Sequence, residues 1–146
     1  MFTRGTIILY ADSSSLPGVI IAVGSGTKWT HCAVALGDGT AIQCEATHGG
    51  YAVLPEGSGD TTTTILYPKD PESFIAGMLA LHGCHYDYPG LLANPLWNIF
   101  KWNIGLRKNT WNCATFIAQA LPMLTLSQRR KPLAAWCPGD FIGLLL

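Results

Sequence analysis

Asn109-Thr-Trp-Asn-Cys-Ala-Thr-Phe-Ile-Ala-Gln-Ala-Leu121 joins a polar, aromatic loop to a short apolar segment that begins at a cysteine. Asn112 is a good N-cap, because its side-chain oxygen can accept a hydrogen bond from a free amide of the first turn. The apolar residues recur at helical spacing and predict a buried face: Phe116, Ile117, Ala120 and Leu121. Pro122 is expected to end the helix. The segment therefore predicts an apolar helix with Cys113 at its amino terminus.

A cysteine at the start of a helix has two interpretations. The free amides and the positive end of the helix dipole lower the pKa of a thiol from about 8.5 and can also hold a developing oxyanion. Alternatively, Cys113 is a small buried apolar residue, which is the usual situation of a free cysteine. A catalytic role therefore requires a base elsewhere in the chain that the fold brings to Cys113.

Length and composition limit the possible functions. The 146 residues predict a single domain, 1–146, and the nine basic and nine acidic residues predict no electrostatic attraction to nucleic acid or anionic lipid. Five cysteines without regular spacing, and no evident signal peptide, indicate a protein that is cytoplasmic when synthesised. The apolar run 19–23 is too short to span a bilayer, so no transmembrane segment is expected.

The residues upstream of the cysteine segment predict a sheet with two helices. Strands are predicted at 5–10, 51–54 and 62–67, and a β-hairpin at 31–36 and 40–46 around Gly37-Asp38-Gly39. Helices are predicted at 16–23, capped by Ser13 to Ser15, and from Asp70-Pro71-Glu72 onward, with Phe74, Ile75, Met78 and Leu79 as the apolar face. The aromatic stretch 86–106 has no clear period, and 138–142 leads into a final apolar strand or tail.

The hairpin supplies a candidate base. With a turn at 37–39, Glu45 lies directly across from His31 and Gln43 lies one diagonal away. Paired residues of an antiparallel ladder point to the same face, so a carboxylate or an amide lies within reach of the imidazole. Such a partner fixes the tautomer of the ring and supports its charged form. His31 is therefore the predicted base for Cys113.

The same register places Cys32 against Cys44 on the opposite face of the hairpin. Directly opposed cross-strand cysteines make a strained disulfide, so both are predicted to be reduced core residues. A zinc site from Cys32, Cys44, His31 and His48 is conceivable, but the alternation of faces separates these ligands and the chain has no CxxC pair. No metal or organic cofactor is expected.

The order of the motifs resembles a known family. The motifs are GTIILY, SSS, WTHCAVALGDG, AIQCEA, HYDY, WNCATFIAQAL and PGDF. This order is similar to the circularly permuted branch of the papain-like, NlpC-type cysteine hydrolases, to which lecithin-retinol-acyltransferase-like proteins are related. The resemblance covers nearly the whole chain. It implies an α+β, permuted papain-like fold in which an antiparallel sheet packs against the cysteine-bearing helix.

The resemblance also implies roles for single residues. His31 matches the family's base, and Cys113 matches its nucleophile. Glu45 matches the acidic third residue of the bacterial members. In the acyltransferase branch the third residue is typically histidine and falls on the position of Gln43, so the glutamine favours the bacterial hydrolases and leaves the third residue open.

Aromatic residues near the cysteine are the predicted substrate-binding groups. Tyr86-Asp87-Tyr88 resembles the family's YD segment, which would line the cleft, and Trp111 lies just before the cysteine. The aromatic stretch with Trp97, Phe100 and Trp102, together with Leu91, Leu92 and Ile99, is either a lid or surface for an apolar substrate or plain core.

Other polar residues have ordinary explanations. His48, His82 and His85 are expected in turns or at a helix end as solvated or capping residues, and 129–131 as a solvated basic loop.

The implied activity is acyl transfer through a thioester. The first hypothesis is a cysteine amidase or peptidase that cleaves a small peptide-like bond, with bacterial cell-wall stem peptide as substrate. Because no export signal is evident, such an enzyme would reach the wall by another route, such as a phage particle or a lysis system. The alternatives are a lipid or thioester acyl hydrolase, favoured by the aromatic stretch and the apolar tail 141–146, and a non-catalytic assembly protein that keeps the fold.

Overall fold

A computed structural model of the chain describes residues 1–11, 16–57, 63–66, 68–105, 107–121 and 132–142. Within these residues the strands are β1 (Ile7–Tyr10), β2 (His31–Ala35), β3 (Thr40–Glu45), β4 (Gly50–Pro55), β5 (Thr63–Leu66), β6 (His85–Tyr86) and β7 (Thr110–Trp111). The α-helices are α1 (Leu16–Ser25), α2 (Pro71–Leu79), α3 (Ala93–Phe100) and α4 (Cys113–Ala120). Short 3₁₀ helices lie at Pro89–Leu92, Leu133–Ala135 and Pro138–Phe141.

The described strands form one sheet in the order β5-β1-β2-β3-β4-β6-β7. Neighbouring strands are antiparallel except for β6 and β7, which are parallel. Helices and a largely antiparallel sheet make a mixed α and β fold, in agreement with the α+β class predicted from the sequence.

The central strands are buried on both faces. One face joins the main core, to which β1 to β3 contribute Ile7, Leu9, Cys32, Val34, Ile42 and Cys44. Phe116 and Ile117 of α4 belong to the same cluster, so the cysteine-bearing helix packs against this face. The other face carries a smaller cluster of Ile8, Tyr10, Ala33, Ala35 and Ala41. Burial on both faces explains why these strands read as nearly continuous apolar runs.

The predicted hairpin and its register are confirmed. β2 and β3 pair at Val34–Ile42 and Ala35–Ala41, the alignment that a turn at 37–39 requires. Gly37 and Gly39 have φ of 83° and 89°, a conformation that residues with a Cβ adopt at a cost. The turn thus sets which side chains of β2 and β3 share a face.

The helix beginning at Asp70 is confirmed, with one correction to its apolar face. The Asp70 carboxylate accepts a hydrogen bond from the Ser73 amide at 3.1 Å, as expected of an N-cap. Phe74, Ile75 and Met78 are buried, but Leu79 is 48% exposed. The assignment of Leu79 to the core was wrong, because it lies in the final turn, where the helix leaves the protein interior.

Two further expectations are revised, and others fall outside the described residues. The stretch 86–106 contains α3, and His85 lies in β6 rather than in a turn. Residues 138–141 form a 3₁₀ helix, and the strand or tail to which 138–142 was expected to lead is not described. The caps at 13–15, Pro122, the basic loop 129–131 and the tail 143–146 lie outside the described residues.

No helix within the described ranges has both the length and the apolar character that crossing a membrane requires.

The contact between β4 and β6 depends on Gly50. Gly50 pairs with His85, and a Cβ placed on Gly50 would lie 2.2 Å from the carbonyl oxygen of Cys84. Its φ of 147° is a further obstacle to other residues. The absence of a Cβ on Gly50 therefore allows β6 to pair with β4 and join the sheet.

Gly50→Ala is expected to destabilise the fold by about 2 kcal/mol more than Gly49→Ala, measured as the free energy of unfolding in urea. A Cβ on Gly49 would meet no atom within 4 Å, and its φ of 72° is easier for alanine to adopt than the 147° of Gly50, so the difference between the variants reports the clash together with the backbone strain at Gly50. Equal losses in the two variants would show that β6 can move away at no cost.

Candidate active site

The start of α4 is fixed by a reciprocal capping box. The Asn112 side chain accepts a hydrogen bond from the Thr115 amide, and the Thr115 hydroxyl accepts one from the Asn112 amide, both at 2.9 Å. Cys113 is thereby the first residue of the helix, where the backbone amides have no partner within the helix. Its side chain is 1% exposed, so the sulfur lies within the protein.

His31 meets Cys113 at the edge of the main core. It is the first residue of β2, and α4 packs on both β2 and β3. Each group shifts the pKa of the other: His31 lowers the pKa of Cys113, and Cys113 raises the pKa of His31. The structure thus brings together the two residues that the sequence named as base and nucleophile.

Gln43, rather than Glu45, contacts the imidazole. His31 Nε2 lies 2.6 Å from Gln43 Oε1, and the glutamine is 5% exposed. Because an amide oxygen only accepts, Nε2 carries a proton and Nδ1 is left for Cys113. Glu45 lies two residues further along β3, where its carboxylate contacts His48 Nδ1 at 2.6 Å. Gln43, the diagonal neighbour of His31 in the hairpin, therefore orients the imidazole ring.

Cys32 is a fourth member of the site that sequence reasoning did not connect with Cys113. The hydrogen bond from the Cys32 thiol is the largest influence on the pKa of Cys113 and lowers it, while burial opposes this effect. The charge and hydrogen bond of His31, and the backbone amide of Cys32, lower the pKa of Cys113 further. Cys113 therefore favours the thiolate.

Cys32 itself stays protonated. Burial, followed by its contact with Cys113, raises the pKa of the Cys32 thiol well above its usual range. A thiol that holds its proton can act as a steady donor to a neighbouring thiolate. The hairpin register placed Cys32 on the core face, but the sequence carried no signal that α4 would begin against it.

His31 favours its charged form although burial opposes it. Burial has the largest effect and lowers the pKa of His31, but the Cys113 thiolate and the hydrogen bonds to Cys113 and Gln43 together raise it above the usual value. The thiolate and imidazolium therefore coexist between the lowered pKa of Cys113 and the raised pKa of His31. The thiolate is lost as the pH falls through the first pKa, and the ring charge is lost as the pH rises through the second.

A narrow cleft lies beside the Cys113 sulfur. It encloses about 260 Å³, including the space at its open mouth. Its lining residues are Ile21, Gly90, Leu91, Asn94, Asn112, Cys113, Trp136, Cys137 and Pro138. The space inside it that a water-sized group could occupy is only about 10 Å³, roughly one water molecule, so an acyl group could enter only if the walls moved apart.

The three aromatic residues predicted to bind substrate, Tyr86, Tyr88 and Trp111, lie outside the lining of the cleft. Tyr86 is buried, and its ring lies 5.1 Å from that of Tyr88. Tyr88 is 54% exposed and donates a hydrogen bond to the carbonyl oxygen of Ala46 at 2.6 Å. Trp111 is half-buried, and its carbonyl oxygen accepts a hydrogen bond from the Cys44 thiol. The walls of the cleft come instead from α1, the segment 90–94 and the segment 136–138.

The remaining cysteines are buried, and the remaining histidines are exposed. None of the five cysteines forms a disulfide, and the Cys44 thiol contacts Cys84 as well as Trp111. His82 packs edge-on against Tyr51, with ring centroids 4.8 Å apart. Within the described ranges, no group of three or more histidine, cysteine, aspartate or glutamate side chains is arranged to hold a metal ion.

No protein-family model matches the chain, and no curated protein sequence is significantly similar to it.

Substitutions at His31 and on β3 should change the pH dependence of Cys113 alkylation. In wild-type protein, iodoacetamide should label Cys113 first, at pH values well below the ordinary thiol pKa of about 8.5. His31→Ala removes the imidazolium, so its labelling at pH 6 should be slower by roughly tenfold or more. Gln43→Ala should shift the pH profile in the same direction by a smaller amount.

Glu45→Ala is the comparison on the same strand and should shift the profile least, because its carboxylate contacts His48 and its charge is the smallest of the influences that raise the pKa of His31. Mass spectrometry of peptides after limited labelling reports the rate at each cysteine. Equal labelling of the five thiols in wild-type protein would contradict an activated Cys113.

Proposed function

We propose that this protein is a cysteine hydrolase that transfers an acyl group through a thioester on Cys113. The observation that carries the proposal is the chain of contacts from Cys113 to His31 to Gln43, at the amino terminus of α4. A thiolate, a general base and a residue that orients the base are the parts that nucleophilic acyl transfer requires.

The first half of the reaction forms the thioester. The Cys113 thiolate attacks the substrate carbonyl carbon, a C–S bond forms, and the carbonyl electrons move to the oxygen. The free amide of Cys113, at the first position of α4, is placed to donate to that oxyanion. The oxyanion collapses, the bond to the leaving group breaks, and His31 gives its Nδ1 proton to the leaving nitrogen or oxygen.

The second half releases the acid. Neutral His31 takes a proton from water, the resulting hydroxide attacks the thioester, and the thiolate leaves as the carboxylic acid forms. The hydrogen bond from Nε2 to Gln43 holds the ring with Nδ1 toward the sulfur through both halves.

The proposed substrate is a small peptide-like amide, and bacterial cell-wall stem peptide is the first candidate. The resemblance of the motif order to NlpC-type hydrolases supports this choice. Access to the cell wall would come through a phage particle or a lysis system.

Purified sacculi test the substrate. Incubation with wild-type protein should release peptides with new amino termini, detected by amine labelling and mass spectrometry. Cys113→Ala should reduce release at least about a thousandfold, since loss of a nucleophile leaves little of the rate. Cys84→Ser is the matched control, because it changes another buried cysteine outside the cleft lining.

The negative outcomes separate the alternatives. Turnover of acyl esters without any release from sacculi would replace the amidase by an acyl hydrolase. No turnover of either substrate, with copurification in a large assembly and full function of Cys113→Ala, would indicate a non-catalytic assembly protein.

An exposed apolar surface favours the acyl hydrolase as a second candidate. Leu91 lines the cleft, and the chain that follows it carries five exposed apolar residues: Leu92, Ile99, Phe100, Trp102 and Ile104. Their exposed fractions lie between 48% and 68%. The rings of Phe100 and Trp102 lie 5.1 Å apart between centroids and are tilted by 31°, so this surface includes an aromatic pair. A fatty acyl chain with its ester group at Cys113 could lie along it.

Chain-length dependence tests the second candidate. If the surface binds acyl chains, Phe100→Ser should lower kcat/KM for a dodecanoyl ester by roughly tenfold and leave an acetyl ester unaffected, because burial of an aromatic ring is worth about 1.5–3 kcal/mol. Val53→Ser, at another exposed apolar residue on β4, is the control. Equal effects on both esters would contradict a role of the surface in chain binding.

A further inference from the structure

Trp136 carries a buried hydrogen-bond donor without a partner. Its side chain is 3% exposed, and among the described residues its Nε1 has no acceptor. An indole nitrogen only donates, so nothing but an acceptor atom can satisfy it. Leaving such a donor buried and unpaired costs about 1–3 kcal/mol, a cost that folded proteins rarely carry without a function.

The position of Trp136 distinguishes it from the other unpaired groups. Within the described ranges, the buried side-chain atoms without a partner are Thr6 Oγ1, Glu56 Oε1, Thr110 Oγ1 and Trp136 Nε1. Trp136 alone among these residues lines the cleft, which Cys113 and Asn112 also line. Its ring is fixed edge-on against the fully buried Phe141, with centroids 5.4 Å apart. The indole is therefore held rigidly at the cleft that Cys113 also lines.

We propose that the Trp136 indole N–H is the second donor of the oxyanion hole, opposite the backbone amide of Cys113. The inference rests on the proposed acyl transfer at Cys113. A tetrahedral oxyanion supplies the acceptor that the indole lacks. Donation from a rigid, buried group is effective, because little reorganisation is needed when charge develops on the oxygen. Trp136 would then touch the reacting atoms and be a catalytic residue.

The segment that carries Trp136 is anchored to the wall of the same cleft. Asn94 of α3 donates a hydrogen bond to the carbonyl oxygen of Ala135 at 2.6 Å, and Asn94 is 5% exposed. Asn98, one turn later in α3, donates to Asn94 Oδ1 at 3.1 Å. These bonds fix the backbone immediately before Trp136, so the indole is held from α3 as well as by Phe141.

Two reactions at Cys113 separate an oxyanion donor from a structural residue. Acetylation by p-nitrophenyl acetate passes through a tetrahedral oxyanion: the thiolate forms a C–S bond, and p-nitrophenolate leaves with the electrons of the broken C–O bond. Alkylation by iodoacetamide displaces iodide at a saturated carbon and forms no oxyanion. Trp136→Phe keeps an aromatic ring and removes the N–H, so it should slow acetylation by roughly 100-fold and leave alkylation unchanged.

The controls make each outcome decisive. Trp29→Phe, at another buried tryptophan (9% exposed) outside the cleft lining, should change neither rate. If Trp136→Phe is acetylated as fast as wild type, or if both of its rates fall by the same factor, the assignment is overturned. If wild-type Cys113 reacts with both reagents as an ordinary thiol, the proposed hydrolase itself fails, which is a different result.

A spectroscopic test avoids the variant in case Trp136→Phe does not fold. 1,1,1-Trifluoroacetone forms a tetrahedral adduct with a thiolate, in which the former carbonyl oxygen carries the negative charge. In ¹⁵N-tryptophan-labelled wild-type protein, the Trp136 indole proton should move downfield when the adduct forms, whereas the Trp102 indole proton should not. An unmoved Trp136 resonance in the fully formed adduct would overturn the inference.

Discussion

A buried thiolate–imidazolium pair between Cys113 and His31 is the interaction on which the rest of the site depends. Two opposite charges in the protein interior are stable only where hydrogen bonds replace the lost water. Cys32 supplies that support on the thiolate side, through its thiol and its backbone amide, and Gln43 supplies it on the imidazolium side. Both supporting groups, the protonated Cys32 thiol and the Gln43 side-chain amide, are uncharged.

An uncharged residue at position 43 has an electrostatic advantage. A carboxylate in the place of Gln43 would add a second negative charge and would compete with the thiolate for the imidazolium. An amide oxygen orients the ring through its dipole and leaves the charge of the pair balanced. Glu45, on the same strand, is placed where its carboxylate meets His48, which is 49% exposed on its side chain, and water can screen both groups.

Local patterns predicted most of the fold, and non-local packing explains what they missed. The α2 cap at Asp70, the start of α4 at Cys113 and the hairpin register each depend on a few adjacent residues, and all three agree with the structure. α3 was missed, because its buried residues are Ala93 and Asn94, while Phe100 is exposed and Trp97 only partly buried, so its large apolar residues do not mark a buried face. The burial on both faces of β1 to β3 could be recognised from their apolar runs.

The candidate site was predictable only in part, because non-local packing also determines which residues meet there. His31 and Cys113 were found because their residue types and local settings carry chemical meaning. Cys32 and Trp136 resemble ordinary core residues in the sequence, and their contacts with the site arise when α4 and the segment 132–142 pack against the sheet. The choice between Gln43 and Glu45 required the actual approach of the imidazole, since the register placed both on the same face.

The distance along the chain between β2 and α4 has a consequence for when the thiol becomes reactive. His31, Cys32 and Cys113 come from opposite ends of the polypeptide, and only long-range packing of α4 on β2 and β3 brings them together. Before that packing, the ribosome-bound or denatured chain holds five unremarkable thiols, each with the acidity of free cysteine. If Cys113 is the nucleophile that we propose, its reactivity is acquired only with tertiary assembly, and a cell making the protein is not exposed to it during translation.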